Sequence, residues 1–416
     1  MSGREGELSS DYSGSGGEVG DRMRTSVTAG GEPMRRSDRL ATPAVDIGGR
    51  MAPIDLSILD LPHDADPDPD ELVRAAMQWH FRPETGSPFW LKRAETLDFD
   101  PLTDVKGHSD LTLFPNVANE LRDVPAAELV PRGYGERPDI VGIFESGGTT
   151  GAPKRVVCPA DWLEKLVGWS NANLDRHGFP VGVDWLGITP SGPHIVGEIF
   201  RRSARTHGRY AFQVDLDPRW VKRLLADGRG SQADAYAEHV VDQAAEILRT
   251  QDIGVMTVTP PLLERIAQRE ELVDLVNRKV KAIRWGGTQM DPDTEALYRT
   301  EIFPGATLYG HYGSTMILGI AGQRHGTPIG EPCVFDTFSP YITFQVVDPA
   351  TRTPVAHGER GQVVMHHVSK ALLLPNNLER DTAIRVAAPE GRVGDSAAGI
   401  APVARFDDEA VIEGVY

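Results

Sequence analysis

Cysteine is scarce in this chain: Cys158 and Cys333 are the only two in 416 residues. Two cysteines cannot build the disulfide framework on which small secreted domains depend, so we expect a reducing compartment. The sequence also lacks any run of about 18 apolar residues, which excludes a membrane-spanning helix of ordinary length. The first residues lack the apolar core of a signal peptide. Together these absences predict a cytoplasmic protein that does not bind membranes.

Basic residues are in deficit as well. Lys and Arg number 43 against 60 Asp and Glu, for a formal net charge of −17. General binding of nucleic acid or of anionic membranes needs a net basic face, so neither is expected as a function. One basic pocket for a small anion stays compatible with this balance. Glycine (43) and proline (31) are abundant, which is typical of an enzyme with many loops.

The chain divides by composition. Residues 1–50 are rich in Gly, Ser, Arg and acidic residues and are predicted to form a disordered tail, because they cannot bury enough apolar surface. A mis-assigned start, with Met34 or Met51 as the true one, is the alternative. Residues 51–330 are predicted to form an α/β core. Residues 331–395 alternate and turn like β-hairpins and predict a small β subdomain.

Strand and helix signals alternate beyond residue 139. DIVGIF, KRVVCP, WLGITP, IGVMTVT, VKAIRW and ATLYGHYG are predicted strands, and ADAYAEHVVDQAAEILRTQ has the apolar spacing of a helix. Asp291 and Pro292 form a suitable N-cap and first turn for another helix. This rhythm predicts mainly parallel sheets flanked by helices.

The most informative stretch is ESGGTTGAPK, which lies between two predicted strands. Glycines let backbone N–H groups approach an anion, while hydroxyls and a lysine add donors and charge. A nucleoside-triphosphatase P-loop would instead place Gly-Lys-Ser/Thr at the start of a helix, and Pro153 interrupts that pattern. A surface hairpin without a ligand is the alternative. The predicted phosphate cradle consists of Ser146, Gly147, Gly148, Thr149, Thr150, Gly151 and Lys154.

Three further motifs follow predicted strands, where open α/β sheets bind ligands. They are TPSGPH ending at His194, WGGTQ beginning at Trp285, and YGHYGSTM, which contains Thr315. An aromatic side chain next to glycine suits stacking on a flat ring, and a threonine hydroxyl can reach a phosphate. The alternatives are a helix-capping His194, a plain turn after Trp285 and a packed Tyr312.

In this order, the motifs resemble those of the adenylate-forming superfamily of acyl-CoA synthetases and carrier-protein adenylation domains. SGGTTGAPK resembles its phosphate loop, PSGPH its acyl-pocket segment, WGGTQ its Gly-Gly turn and YGST its adenine motif. GERGQVV, the Asp381 segment LERDTAIRV and the hinge-like ARFDDEAVIEGVY complete the series. The resemblance covers about residues 75–416 and implies the large N-terminal domain of that superfamily.

The resemblance implies an enzyme that uses ATP and Mg²⁺ to convert a small-molecule carboxylic acid to an acyl-adenylate and pyrophosphate. It makes the 51–330 core the nucleotide- and acyl-binding part and 396–416 a residual hinge segment. Asp395 is the alternative to Asp381 as the ribose ligand. The implied roles are catalysis by Lys154 and Thr315, adenine and ribose binding by Gly287, Thr288, His311, Tyr312, Asp381 and Arg405, and an acyl pocket of His194, Gly286, Gly287 and Gly313.

Within the superfamily, SPFWLK and the compact length are most similar to the phenylacetate-CoA-ligase branch. They are closer still to stand-alone aryl-acid adenylases of phenazine-type antibiotic pathways. This similarity implies an aromatic acid of secondary metabolism, whose adenylate passes to a downstream reductase or another acyl acceptor. A homodimer is left open.

The chain departs from the family pattern at three points. Met316 stands where the family has a Glu that helps hold Mg²⁺, so the metal ligands are unknown. The chain stops at the hinge, so the C-terminal catalytic domain and its lysine are expected to be absent. Ala404 replaces a Gly before Arg405. Two alternatives follow: a degraded protein that binds nucleotide or an aryl acid without turnover, or an enzyme that activates an unusual acid for amide or N–N bond formation.

Overall fold

The computed structural model describes residues 54–146 and 152–403 in full, and 405–406 and 409–410 by their backbone alone. The predicted tail and the centre of the predicted phosphate cradle, residues 147–151, lie outside this range, as do the side chain of Arg405 and residue Ala404. Residues 54–416 form one unit, and the predicted boundaries at 330 and 395 stay predictions.

The strands are β1 (Ile140–Ser146), β2 (Lys154–Pro159), β3 (Asp184–Ile188), β4 (Ala211–Val214), β5 (Ile253–Val258), β6 (Ala282–Gly286), β7 (Thr307–Ser314), β8 (Gly319–Gln323), β9 (Val334–Asp336), β10 (Ile342–Val347), β11 (Arg360–Val368), β12 (Leu373–Ala387), β13 (Asp395–Pro402), β14 (Arg405–Phe406) and β15 (Glu409–Ala410). The helices are α1 (Pro69–Phe81), α2 (Pro88–Ala94), α3 (Ala160–Arg176), α4 (Ile195–His207), α5 (Pro218–Ala226), α6 (Gly230–Thr250), α7 (Pro260–Ala267), α8 (Glu270–Lys279) and α9 (Pro292–Leu297). Short 3₁₀ turns include Thr315–Ile317.

Eleven of these strands form one sheet, in the order β10-β11-β12-β13-β9-β8-β7-β6-β5-β3-β4. Strands β3 to β7 pair in parallel, and we call them the parallel half. Strands β3, β5 and β6 are buried along their whole length, as expected of parallel strands that helices cover. Helices α4 and α6 both pack on β3. The α/β part of the prediction is therefore confirmed.

Strands β8 to β13 pair only in antiparallel fashion, and we call them the antiparallel half. The sheet is therefore mixed, which corrects the expectation of mainly parallel sheets. The physical reason is connectivity: short turns join neighbouring strands only in antiparallel pairs, whereas parallel pairs need long crossovers. Phe344 on β10 also pairs with Asp395 on β13, so β10 to β13 curve into a closed group.

The hairpin of β1 and β2 is a separate two-stranded sheet. Ser146 lies opposite Lys154 at its open end, so the hairpin brackets residues 147–153. The prediction that strands flank the Gly/Thr-rich stretch is therefore confirmed, and no helix follows it as a P-loop would require.

Helix starts follow the capping residues of the sequence. The Asp291 carboxylate accepts from the Thr294 N–H at 2.9 Å and begins α9, as predicted. At α1 the Asp68 carboxylate accepts from the N–H groups of Asp70 and Glu71, at 3.0 and 2.9 Å, with Pro69 in the first turn. Among the described residues, none of these helices is long and apolar enough to cross a membrane.

Candidate functional site

Two clefts open beside each other at the carboxyl ends of the parallel strands. We call them the Asp381 cleft and the His194 cleft, after one residue that lines each. Their volumes are about 230 and 240 Å³, respectively. The carboxyl edge is where open α/β sheets bind their ligands. The clefts adjoin, because both are lined by Lys222, Gly287, His311, Gly313 and Arg380.

The Asp381 cleft gathers the residues predicted to bind adenine and ribose. Gly287, Thr288, His311 and Tyr312 all line it with Asp381. The Tyr312 phenol donates a hydrogen bond to the Asp381 carboxylate at 2.9 Å. Burial, together with the nearby Glu379 carboxylate, raises the pKa of Asp381 to about 6. Asp381 is therefore an oriented acceptor that is ionised at neutral pH.

Asp395, the alternative ribose ligand, has a structural role instead. Its carboxylate is buried between β10 and β13, where it accepts from Arg385 Nε at 2.8 Å and from the Val346 N–H at 3.0 Å. A carboxylate with both oxygens bonded inside the closed group of strands is not available to a ligand. The structure therefore favours Asp381 over Asp395.

The His194 cleft gathers the predicted acyl-pocket residues. Gly286, Gly287 and Gly313 line it with His194, and so do Ser146 and Thr315. His194 stands at the N-terminus of α4, but its side chain makes no capping hydrogen bond to the described residues. Burial and the charge of Arg219 lower the pKa of His194, so its ring is neutral at pH 7. His194 is thus the N-cap residue of α4 by its position, while its side chain lines the cleft.

The glycines in this cleft do not all leave room for a ligand. A Cβ on Gly286 would lie 2.5 Å from the His311 ring, and one on Gly313 would lie 2.7 Å from the Ile320 Cα on β8. Gly286 and Gly313 therefore make room for neighbouring parts of the protein itself. Gly287 differs, because its φ of 89° needs glycine and its Cβ position meets only Thr259, at 3.4 Å.

Three basic residues that the sequence analysis missed stand around these clefts. Lys222 and Arg380 line both clefts, and Arg219 lines the His194 cleft. Glu145 holds Arg219 by an ion pair of 2.7 Å and Arg155 by one of 3.0 Å. Burial and the charge of Arg380 lower the pKa of Lys222. Arg219 and Lys222 carry no motif, and their only signal was a basic face on the helix DPRWVKRLLA; Arg380 directly precedes Asp381 in LERDTAIRV.

The two predicted catalytic residues are placed differently. Thr315 begins a 3₁₀ turn directly after β7 and lines the His194 cleft. Lys154 faces Ser146 across the hairpin and is not among the described residues that line either cleft. The hairpin is tied to the cleft by the Glu145 N–H, which donates to the Pro193 carbonyl at 2.8 Å. A catalytic role for Lys154 stays a prediction.

The described residues do not fit a magnesium ion held by the protein. No group of three His, Cys, Asp or Glu side chains is placed to hold a metal within the part that the structure describes. Met316 is 3% exposed, and its thioether is a poor ligand for a hard cation. Glu145, the carboxylate nearest to Ser146 in sequence, already binds two arginines. A requirement for Mg²⁺ therefore stays a prediction that concerns ATP itself.

Comparisons of the sequence with known families and with curated proteins found no match. Comparison with solved structures identifies the class of fold, which is that of adenylate-forming ligases. An open form of 2-hydroxyisobutyryl-CoA ligase, solved with 2-HIB-AMP and CoA, matches with a TM-score of 0.55 and 16% identity over 85% of this chain and 84% of that chain.

The same ligase in its thioesterification state matches with a TM-score of 0.58 and 16% identity, over 85% of this chain and 75% of that chain. Its postadenylation state with 2-HIB-AMP matches with a TM-score of 0.55 and 16% identity, over 84% and 75%. At this identity the likeness shows the fold alone.

Proposed function

We propose that this chain is an ATP-dependent acid adenylase. A substrate carboxylate attacks the α-phosphorus of ATP, the bond from that phosphorus to the bridging oxygen breaks, and pyrophosphate leaves as the acyl-adenylate forms. The observation that carries this proposal is that the two clefts adjoin and share five lining residues. One cleft contains Asp381 and the other contains His194, and cationic Lys222 and Arg380 lie where they meet.

The junction of the clefts suits the charge that develops in this reaction. Negative charge builds on the oxygens of the α-phosphate while two anions, the acid and the nucleotide, come together. Cations and donors that are already in place stabilise such charge better than water does. In this proposal Lys222, Arg380 and the Thr315 hydroxyl serve the α-phosphate, and the cradle from Ser146 to Lys154 binds the outer phosphates.

The Asp381 cleft would hold the nucleoside. An ionised carboxylate accepts but does not donate, which suits the two vicinal hydroxyls of ribose. Tyr312 fixes the orientation of Asp381, and its own ring packs between Phe335 and Phe344. Gly287 and Thr288 would border the base.

The finer parts of the proposal rest on the sequence resemblance. They are an aromatic acid from secondary metabolism and transfer of the adenylate to a downstream reductase or another acyl acceptor. An acyl-adenylate is a strong acylating agent, so transfer to an acceptor must compete with its hydrolysis by water.

The test is release of pyrophosphate from ATP and Mg²⁺ across a panel of carboxylic acids. Lys222→Ala should reduce the rate at least tenfold, since one charge-assisted contact contributes about 1.5–3 kcal/mol. Lys281→Ala is the matched control, because Lys281 is exposed and precedes β6 at the opposite edge of the sheet. Pyrophosphate release that is equal with and without every acid would contradict the proposal.

Met316 favours a second candidate function, the binding of nucleotide without turnover. Because this side chain is a buried thioether, the chain lacks the protein carboxylate that the family uses at that position. Calorimetry would decide between the two: saturable ATP binding with no acid-dependent pyrophosphate release would support the second candidate.

A further inference from the structure

One face of the parallel half carries polar side chains from strand to strand. Gly187, Thr257, Arg284 and Tyr309 lie opposite one another on β3, β5, β6 and β7. Directly opposed residues point to the same face of a sheet. We call this set the lower row.

The next set on that face lies two residues nearer the carboxyl edge. Thr189 directly follows Ile188 of β3, and Thr259 directly follows Val258 of β5, the residue with which Ile188 is paired. Gly286 of β6 lies opposite His311 of β7. We call these four residues the upper row, and all of them line the His194 cleft. Because Gly286 has no side chain, the His311 ring lies over it and extends toward Thr259.

The upper row has hydrogen-bonding atoms that the protein leaves unused. The hydroxyls of Thr189 and Thr259 and the Nδ1 atom of His311 have no partner among the described residues. Their side chains are nevertheless 2%, 1% and 6% exposed. Buried polar atoms of this kind are rare in native proteins, and each one calls for a partner.

His311 shows what kind of partner is needed. Burial and the charge of Arg284 hold the pKa of His311 well below its usual value, so the ring is neutral. In a neutral imidazole Nδ1 either accepts or donates one hydrogen bond, depending on the tautomer. A hydroxyl fits both cases, because it can donate and accept.

The positive charges around the His194 cleft limit which chemical group can bind to the upper row. Arg284 lies below the cleft, is 2% exposed, and its Nε atom has no partner among the described residues. Lys222, Arg219 and Arg380 surround the cleft above. An ammonium group would be repelled by these cations, whereas a neutral hydroxyl can donate to His311 and accept from a threonine hydroxyl.

We propose that the acid activated by this protein is a hydroxy acid, whose hydroxyl binds between His311, Thr259 and Thr189 on the floor of the His194 cleft. This inference rests on the proposed function, because the acid is the substrate of that reaction. It makes these three residues specificity-determining, and it applies to phenolic and aliphatic hydroxy acids alike.

The experiment compares pairs of acids that differ only by hydroxyl against methyl. The pairs are the 2-, 3- and 4-hydroxybenzoates with the matching methylbenzoates, and 3-hydroxybutanoate with 3-methylbutanoate. Affinity is measured by calorimetry and turnover by pyrophosphate release. At least one hydroxy acid should bind ten times more tightly than its methyl partner. Equal or weaker binding by every hydroxy acid, or binding by no acid at all, would overturn the inference.

A matched pair of variants locates the effect. Thr259→Val removes an upper-row hydroxyl, and Thr257→Val removes one from the same strand and face that does not line the cleft. Thr259→Val should bring the hydroxyl preference close to one while leaving the melting temperature the same or higher, because the lost hydroxyl has no partner among the described residues. Thr257→Val should keep the preference. A lower melting temperature with an unchanged preference in Thr259→Val would show a structural hydroxyl and overturn the inference.

Failure of the inference and failure of the proposed function give different results. Acid-dependent pyrophosphate release at equal rates within every pair would overturn the hydroxy-acid inference and leave adenylation standing. Selective binding of hydroxy acids without any pyrophosphate release would do the reverse.

Discussion

The two halves of the sheet contribute to the clefts in different ways. In the parallel half, β3, β5, β6 and β7 each end in residues that line a cleft. In the antiparallel half, Arg380 and Asp381 come from the middle of the long strand β12. All parallel strands end at one edge, so motifs at their ends must converge. Antiparallel strands end at both edges, so the residue that reaches a site depends on register and bending.

The halves also differ in how they treat buried polar groups. In the antiparallel half the His367 ring bonds to the Ile317 carbonyl and the Ser369 hydroxyl, and His366 Nδ1 accepts from the Asn376 N–H at 3.0 Å. In the parallel half the hydroxyls of Thr189 and Thr259 have no partner among the described residues. These buried histidines of the antiparallel half are bonded within the protein, whereas these two buried threonines of the parallel half line the His194 cleft.

The largest expected effect is unfolding at acid pH. It is caused by buried histidines of the antiparallel half and of helix α1, which packs on it. Burial lowers the pKa of His80 to about 4 and those of His366 and His367 to about 3. Below pH 6.5 the unfolded chain binds protons that the folded chain cannot, so stability present above pH 6.5 is lost as the pH falls toward 3–4. Three such groups remove as much as about 4 kcal/mol per pH unit near pH 5.

Urea denaturation at a series of pH values measures this loss. His366→Asn keeps an acceptor for the Asn376 N–H but cannot titrate, so the slope should fall by about 1.4 kcal/mol per pH unit. The exposed His239→Asn is the control and should leave the slope unchanged. An unaltered slope in His366→Asn would show that this imidazole is protonated in the folded protein.

The next effect concerns the parallel half. In Gly286→Ala the new Cβ would lie 2.5 Å from the His311 ring and displace it from the upper row. A misplacement of about 1 Å in an active site costs roughly a hundredfold in rate, so acid-dependent pyrophosphate release should fall by about that factor. Gly305→Ala is the control, because its Cβ would meet nothing within 4 Å. Full activity in Gly286→Ala would show that the position of the His311 ring does not affect catalysis.

Asp381 tests the contribution of the antiparallel half to the site. Its pKa of about 6 means that the carboxylate is lost as the pH falls through 6, so ATP affinity should fall over that range. Asp381→Asn should weaken ATP binding about tenfold at pH 8, the effect of one charge-assisted hydrogen bond, and remove the pH dependence.

Glu379→Gln sharpens the same test. The Glu379 charge helps to raise the pKa of Asp381, so removing it should move the break in ATP affinity to lower pH without weakening binding at pH 8. The KM for ATP against pH measures both variants. If the KM for ATP in Asp381→Asn still changes at the same pH, a group other than Asp381 is responsible for the pH dependence.

The smallest effect is expected at the start of helix α9, which follows β6 of the parallel half. Asp291→Ala removes the cap of α9 and should lower the free energy of unfolding by about 1 kcal/mol. The exposed neighbour Asp293→Ala is the matched control and should change it little. Urea denaturation measures both, and equal effects of the two changes would show that charge at this helix end matters more than the cap.

The strands that carry the motifs could be predicted from the sequence, and other parts of the sheet could not. β5 (IGVMTV) and β6 (AIRWG) are short runs in which a single polar residue, Thr257 or Arg284, interrupts apolar ones, and turns bound them. A short apolar run bounded by turns is the pattern of a buried parallel strand. β4 is a short strand at the sheet edge, β8 reads GIAGQ with two glycines, and β12 shifts register against both neighbours. Such strands are held by their partners, so their own sequence carries a weak signal.

The sequence by itself determined which turns meet. His194, the Gly286–Gly287 turn and the Tyr312–Thr315 segment follow strands of one parallel sheet, and the carboxyl ends of such strands share an edge whatever their distance along the chain. The tertiary structure alone decided that Lys222 and Arg380 join them and that Gly286 makes room for His311. It also left the hydroxyls of Thr189 and Thr259 without a partner in the part of the chain that the structure describes. Those features depend on strand register and helix placement, which long-range packing sets and no local run of residues encodes.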